Sequence, residues 1–310
     1  MRIGVDVGGT NTDAVLVDGT SVIASCKQTT TSDVSSGIQT AMQRVLDSAD
    51  VAADTITSVM IGTTHFTNAF VARQSLQKVG ILRVALPAAS GIPPLVDWPE
   101  DLREAIEGPC FQVRGGFQYD GRVNAELDEG GVRDAARRFA AAGIETISIS
   151  SLFSPINADM ELRAAEIVRE TMGKDISITL SHTIGRIGLL ERENATIMNA
   201  SLARLSRDVV RSFATAINAL KLNAPFYISQ NDGTLMSADF VERYPVLTFA
   251  SGPTNSMRGA ARLANHHTAM VADIGGTTTD FGWLQGGFPR ESTVSVDVGG
   301  VRTNFRMPDM

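Results

Sequence analysis

Two octapeptides in this chain carry residue types suited to holding a phosphate and its cation. Asp6-Val7-Gly8-Gly9-Thr10-Asn11-Thr12-Asp13 recurs as Asp273-Ile274-Gly275-Gly276-Thr277-Thr278-Thr279-Asp280, with six of eight positions identical. Each copy follows a short apolar run, so each reads as a strand, a glycine turn and a return strand. A turn built from Gly and Thr offers backbone N–H groups and hydroxyls to an anion. Glycine also lets the backbone approach a phosphate closely. A carboxylate at the strand end can hold Mg²⁺, usually through water, because this ion dehydrates reluctantly. Two such hairpins facing each other would grip the β- and γ-phosphates of a nucleotide from both sides. Gly8, Gly9, Thr10, Asn11, Thr12, Gly275, Gly276, Thr277, Thr278 and Thr279 are therefore candidate phosphate contacts, and Asp6 and Asp273 candidate metal residues. Asp13 and Asp280 open the return strands, where a carboxylate either orients an attacking group or the metal, or stabilises the hairpin. The chain contains no GxxxxGK(S/T) loop and no GxGxxG after a strand, so the site is neither a Walker loop nor a dinucleotide fingerprint.

The elements that must position these residues alternate between strand and helix. Arg2 to Val7, Asp13 to Val17 and Ser21 to Lys27 read as three short strands, with a tight turn at Asp18-Gly19. A helix fits 34–47, with Ile38, Met42, Val45 and Leu46 at helical spacing. Ser58 to Ile61 reads as a buried strand ending in Gly62-Thr63-Thr64 and is expected to join the first sheet in parallel. Residues 64–125 are less legible: Lys78 to Leu86 reads as a strand, and the prolines at 87, 93, 94 and 99 mark an irregular stretch. A helix from Val132, a strand at 146–151, a helix through Leu162 and Val168 and a strand at 176–180 follow. One long helical stretch is predicted over 189–220, with Leu202, Leu205, Val209, Phe213 and Ile217 on a core-facing stripe. Ser251-Gly252-Pro253 precedes another helix, and Ala269 to Asp273 leads into the second octapeptide. This alternation predicts an α/β fold, and the internal repeat suggests duplicated lobes.

Composition narrows the function classes. A net charge of -7, from 27 basic and 34 acidic side chains, lacks the electrostatic footprint of a nucleic-acid binder. Cys26 and Cys110 form no CxxC pair, and His65, His182, His266 and His267 have no zinc-ligand spacing. Asp6 interrupts the first apolar run and no stretch of about 18 apolar residues occurs, so neither a signal peptide nor a membrane span is predicted and a cytoplasmic location is expected.

The paired hairpins resemble those of the actin-like ATPase superfamily, which includes sugar kinases and heat-shock ATPases and has two ribonuclease H-like lobes with ATP between them. Within it, DxGGTxTD resembles the hydantoinase/oxoprolinase A subunits. Gly62-Thr63-Thr64 with Thr67-Asn68-Ala69 is similar to that family's GTTxxTNA stretch. Glu191-Arg192 with Asn199-Ala200 is similar to its ER…NA helix, 230–237 to its QSDGGLMS segment, and Ser251-Gly252-Pro253 to its SGP turn. The family usually continues SGP with Ala-Gly-Gly, where this chain has Thr254-Asn255-Ser256, and Asn231 stands in place of the usual Ser.

The resemblance implies residues 1–185 as a complete ribonuclease H-like lobe with an insertion, and 186–310 as the start of a truncated second lobe. Family members run well beyond 310 residues, so a fragment or a shortened relative with weak ATPase activity of its own is expected. The implied reaction is ATP-dependent ring-opening hydrolysis of a cyclic amide such as a hydantoin or 5-oxoproline, with ATP and Mg²⁺ as cofactors. A B-type partner subunit and homo-oligomerisation are further expectations. Thr63, Thr64 and Asn68 either face the substrate cleft or form a capped helix start at Thr67. Asp232 either lines the cleft or stays in its turn, and Glu191 and Arg192 either reach the site or pair on a helix surface. A small-molecule kinase and a non-catalytic nucleotide-binding regulator are the alternatives. The kinase would typically carry a CxCGxxGC stretch, which is absent here.

Overall fold

The structure is a computed structural model and describes residues 1–30, 34–274 and 279–310. It contains two compact units, one built from 1–68, 205–293 and 306–310, the other from 69–204 and 294–305. Each of the two sequence regions divided near residue 185 thus contributes to both units, because the chain leaves the first unit and returns to it.

The first unit begins with the expected meander: β1 (Arg2–Val7), β2 (Asn11–Asp18) and β3 (Ser21–Thr29), all antiparallel. Ile3, Val5 and Val7 alternate inward from β1, and Ala14 and Leu16 from β2. Helix α1 (Val34–Ala49) packs on this meander. Its Ile38, Ala41, Met42 and Val45 recur every three or four residues and are fully buried. Strand β4 (Ser58–Thr63) then lies parallel to β1, as expected, and runs into helix α2 (His65–Val71).

The second unit carries its own sheet. Along the chain come β5 (Val79–Leu86), α3 (Glu100–Ile106), β6 (Glu107–Arg114), α4 (Glu129–Ala141), β7 (Thr146–Ser151), α5 (Asp159–Met172), β8 (Ser177–Leu180) and α6 (Leu189–Ser201). The strands pair in the order β6-β5-β7-β8, all parallel. Parallel strands covered on both faces are buried throughout, as β5 and β7 are. Ile147 and Ile149 of β7 pack into the cluster that holds Val132, Phe139, Ala164 and Val168 of α4 and α5. On the opposite face, Ser150 donates to Glu193 of α6 at 2.6 Å, and the same carboxylate accepts from Arg83 of β5 at 2.8 Å. The Asp128 side chain caps α4 by accepting from the Gly131 amide at 2.9 Å.

Helix α7 (Ala203–Ala219) returns the chain to the first unit. The single helix expected over 189–220 is therefore two. The break falls at Leu202, where the Leu202 amide bonds back to Asn199 at 3.2 Å and the Ser201 hydroxyl to the Met198 carbonyl at 2.8 Å. These short-range bonds end α6 before α7 begins.

Strand β9 (Phe226–Ser229) adds in parallel beside β4, and β10 (Leu235–Ser237) closes the edge, giving the order β10-β9-β4-β1-β2-β3. Helices α8 (Ala238–Arg243) and α9 (Ser251–Ala264) follow. Then come β11 (Ala269–Ile274), β12 (Thr279–Gln285) and β13 (Phe288–Pro289), an antiparallel three-stranded sheet. Met257 and Ala261 of α9 pack against Leu284 and Val271 beneath it. Finally β14 (Val296–Val298) and β15 (Val301–Thr303) form a hairpin in the second unit. Gly299 and Gly300 supply its turn at φ +63° and +90°, a left-handed pair that favours glycine. Among the described residues, no helix is long and apolar enough to cross a membrane.

Candidate phosphate and cation site

The repeat seen in the sequence is a repeat of strand register. Asp6 lies opposite Asp13 and Val7 opposite Thr12 in the first hairpin; Asp273 lies opposite Asp280 and Ile274 opposite Thr279 in the second. Both hairpins belong to the first compact unit. Gly275, Gly276, Thr277 and Thr278 lie outside the described residues.

The turn of the first hairpin is closed by the Gly8 amide donating to the Asn11 carbonyl at 3.0 Å. Gly9 and Thr10 are exposed at its tip, and Asn11 is half-buried. Thr30, at the end of β3, braces the turn from below. Its hydroxyl donates to the Gly8 carbonyl at 2.8 Å and its amide to the Thr10 carbonyl at 2.9 Å. Thr12 is buried and its hydroxyl lies 3.1 Å from that of Thr30, so this side chain supports the turn from within. Thr279, its counterpart in the second hairpin, is exposed.

Asp6 and Asp13 lie side by side on neighbouring strands at an open cavity of about 330 Å³ that Gly62, Ser229 and Asn255 also line. Asp6 keeps solvent-accessible surface, yet the protein crowding it raises its pKa above the ordinary carboxylate value, and the charge of Asp13 adds to the effect. Lys27 stands 3.8 Å from Asp13. A Cβ on Gly62 would lie 2.7 Å from Asp6 Oδ1 and 2.9 Å from Asn255 Nδ2, so glycine is required for both side chains to occupy the cavity. Two neighbouring carboxylates at an open, glycine-floored pocket fit a divalent cation. No cluster of three or more His, Cys, Asp or Glu side chains suited to a metal occurs among the described residues. A cation held at Asp6, with Asp13 beside it, would keep most of its water, which suits Mg²⁺.

Beside the first turn, Thr63 and Thr64 end β4. Thr63 is buried, and its hydroxyl accepts from the His65 amide at 3.2 Å and lies 2.7 Å from His65 Nδ1. Helix α2 thus begins at His65, two residues before Thr67, with its first amide taken up by the Thr63 hydroxyl. Burial lowers the His65 pKa, which favours the neutral ring. Asn68 donates to the Thr64 hydroxyl at 3.1 Å and is exposed next to Gly9. The start of α9 reaches the same place. Ser251 donates to the Thr63 carbonyl at 3.4 Å, and Gly252 lies beside Thr64. Ala250, before the helix, takes the left-handed conformation at φ +61°, an uncommon one for a residue with a Cβ.

Asp232 accepts from the amide and hydroxyl of Thr234 at 2.8 and 2.6 Å, a local turn fold at an exposed loop. Its neighbour Asn231 does more to order the unit. The buried Asn231 side chain donates to the Arg306 carbonyl at 2.7 Å, and its backbone binds Leu247 and Thr254.

Glu191 and Arg192 lie in the second unit and are not a surface pair. Arg192 is fully buried, because the loop before α6 turns its carbonyls inward and needs a donor. Its guanidinium satisfies Arg186 and Ile187 at 2.8 and 2.7 Å and bonds Ser181 at 2.9 Å. Sequence reasoning passed over Gly62, Ser229 and Thr30 as site residues. The only signal for Asn255 was its departure from the glycine expected after SGP.

The model of the hydantoinase/oxoprolinase N-terminal region matches residues 2–172, and the hydantoinase/oxoprolinase model matches 192–310. The chain belongs to the hydantoinase/oxoprolinase family. It is 28% identical over 311 aligned residues to the acetophenone carboxylase gamma subunit of Aromatoleum aromaticum, covering 90% of this chain and 41% of that one. It is 25% identical over 315 residues to the caprolactamase subunit alpha of Pseudomonas jessenii, covering 92% and 44%. The crystal structure of the ATP-dependent caprolactamase from Pseudomonas jessenii superposes with a TM-score of 0.81 at 23% identity, over all of this chain and 47% of that one. The chain thus spans under half the length of these relatives. Its α/β fold is the one it shares with these structural neighbours, whose lobes are of the actin-like ATPase type.

Proposed function

We propose that this chain is the nucleotide-handling part of an ATP-dependent enzyme that opens a cyclic amide, of the hydantoin, 5-oxoproline or lactam kind. The observation that carries the reading is the matched register of the two carboxylate-flanked hairpins within one compact unit of a hydantoinase/oxoprolinase family member. Asp6 and Asp273 would hold hydrated Mg²⁺. Gly8, Gly9, Thr10 and Asn11, with 275–278 of the second hairpin, would hold phosphate through backbone N–H groups and hydroxyls, and Thr279 would add its hydroxyl. Thr12 contributes by fixing the turn against Thr30. Asp13 and Asp280 would orient the attacking group or the metal's water.

When bound, ATP would supply a phosphoryl group to the amide oxygen, leaving ADP, which makes the carbonyl carbon electrophilic enough for water to attack, with the ring C–N bond broken and phosphate released. The chain's part is positioning and charge neutralisation. Asn68, beside Gly9, and Thr64, bonded to it, would meet a ring substrate near the phosphates. Asp232 belongs to the same set only if its turn opens. The relatives named as gamma and alpha subunits support a heteromeric partner of the B type. Residues 1–185 and 186–310 are proposed as the family's two sequence regions.

A second reading, ATP-dependent carboxylation, is favoured by the slightly higher identity to the acetophenone carboxylase subunit. The two separate in one experiment. Phosphate release from ATP is measured with hydantoin, 5-oxoproline or caprolactam on one side, and acetophenone or acetone plus bicarbonate on the other. Stimulation by a cyclic amide with ring-opened product is expected. Stimulation confined to the ketone arm would replace this reading with the second.

A further inference from the structure

The Asp6 cavity contains one side chain that the shared motifs do not explain. Asn255 lies on the first turns of α9 and lines this cavity together with Asp6. Its Nδ2 donates to Ser229 Oγ, at the end of β9, at 3.1 Å. The same nitrogen and Asp6 Oδ1 lie within 2.9 Å of one point, the place a Cβ on Gly62 would fill. Three strands and a helix thus converge: β1 supplies Asp6, β4 the gap at Gly62, β9 the serine and α9 the amide. The amide has two N–H donors and one carbonyl acceptor, and Ser229 takes up one donor.

We propose that Asn255 is a positioning residue of the cation site, ordering the water layer between Asp6 and a bound divalent ion. This rests on the reading that Asp6 holds a hydrated cation. A magnesium-type ion keeps several waters, and those waters need fixed partners beyond the coordinating carboxylate. Asn255 offers an acceptor and a donor next to Asp6 in the cavity, and Ser229 fixes which way the amide faces. Gly62 is the condition for this arrangement, because any side chain there would part Asp6 from Asn255.

The test is titration of Mn²⁺ into the 310-residue chain, followed by electron paramagnetic resonance and by water-proton relaxation. Wild type is compared with Asp6→Asn, Asn255→Gly and Ser229→Ala, each first checked for an unchanged thermal melt without metal. Asp6→Asn should abolish site-specific binding. Asn255→Gly should weaken it about tenfold, the usual scale for residues behind the direct ligands, and alter the relaxation per bound ion. Ser229→Ala should give a smaller loss in the same direction and add nothing in combination with Asn255→Gly. If Asp6→Asn leaves Mn²⁺ binding intact, the cation reading itself fails. If Asp6→Asn abolishes binding while Asn255→Gly changes neither affinity nor relaxation, the cation reading stands and the role of Asn255 is overturned.

Discussion

At the scale of single residues, the site depends on what is missing from Gly62 as much as on what Asp6 carries. A methyl group there would meet the tips of Asp6 and Asn255 at 2.7 and 2.9 Å. Both are flexible side-chain ends that can swing aside. Gly62→Ala should therefore cost about 1 kcal/mol or less in stability, while cation binding drops by about tenfold or more. Denaturant unfolding paired with a Mn²⁺ titration checks this; strong unfolding with intact binding would reverse the assignment. His65 makes a second prediction. Burial holds its pKa below the ordinary 6.5, so the folded state binds this proton less tightly than the unfolded state does. The stability it contributes is fully present above the unfolded value and is lost as pH falls through the folded one. From about pH 7.5 to about pH 5, wild type should lose more stability than His65→Asn; parallel curves would remove His65 from the account.

At the scale of elements, much of each unit's order comes from polar groups buried between helix and sheet. Helix α6 is held on the second unit's sheet by the ion pair of Arg83 and Glu193, both almost wholly buried, with Ser150 completing the carboxylate's bonds. Breaking such a pair leaves an uncompensated charge in a low-dielectric interior. Glu193→Ala should cost about 3–5 kcal/mol, whereas the double change Arg83→Met with Glu193→Met should cost much less. Urea unfolding of the single and double variants measures the difference, and equal losses would mean that packing rather than charge holds the helix. In the first unit, α9 plays the comparable part. Its apolar side supports the second hairpin through Met257 and Leu284, and its first residues meet Thr63 and Thr64 beside the first hairpin.

At the scale of the molecule, one sheet face remains open. Met270, Ile274, Phe281 and Trp283 alternate outward from β11 and β12 with 61, 78, 55 and 48% of their surfaces exposed. Neighbouring apolar side chains presented on an exposed sheet face favour association. The 310-residue chain should self-associate with rising concentration in analytical ultracentrifugation, and Phe281→Glu should shift it towards monomer. A chain that stays monomeric at high concentration would show that this face tolerates water.

The sequence alone determined the parts whose physics is local. Repeated glycine turns between apolar runs specify hairpins, so DxGGTxTD could be read twice and its carboxylates placed at strand ends. Period-two and period-3.6 patterns likewise specified the meander, β4, α1, α4 and α5. Only the tertiary structure decided what depends on distant segments. Thr12 reads as a phosphate contact until Thr30, eighteen residues on, is found bonded to it. Arg192 reads as a site residue or half of a surface pair until the carbonyls it satisfies are seen to turn inward. The sheet that carries Asp6 is completed by β9, which arrives after an inserted unit of its own. Gly62, Ser229 and Asn255 come from three segments with no sequence pattern in common, because their only relation is the small volume they share.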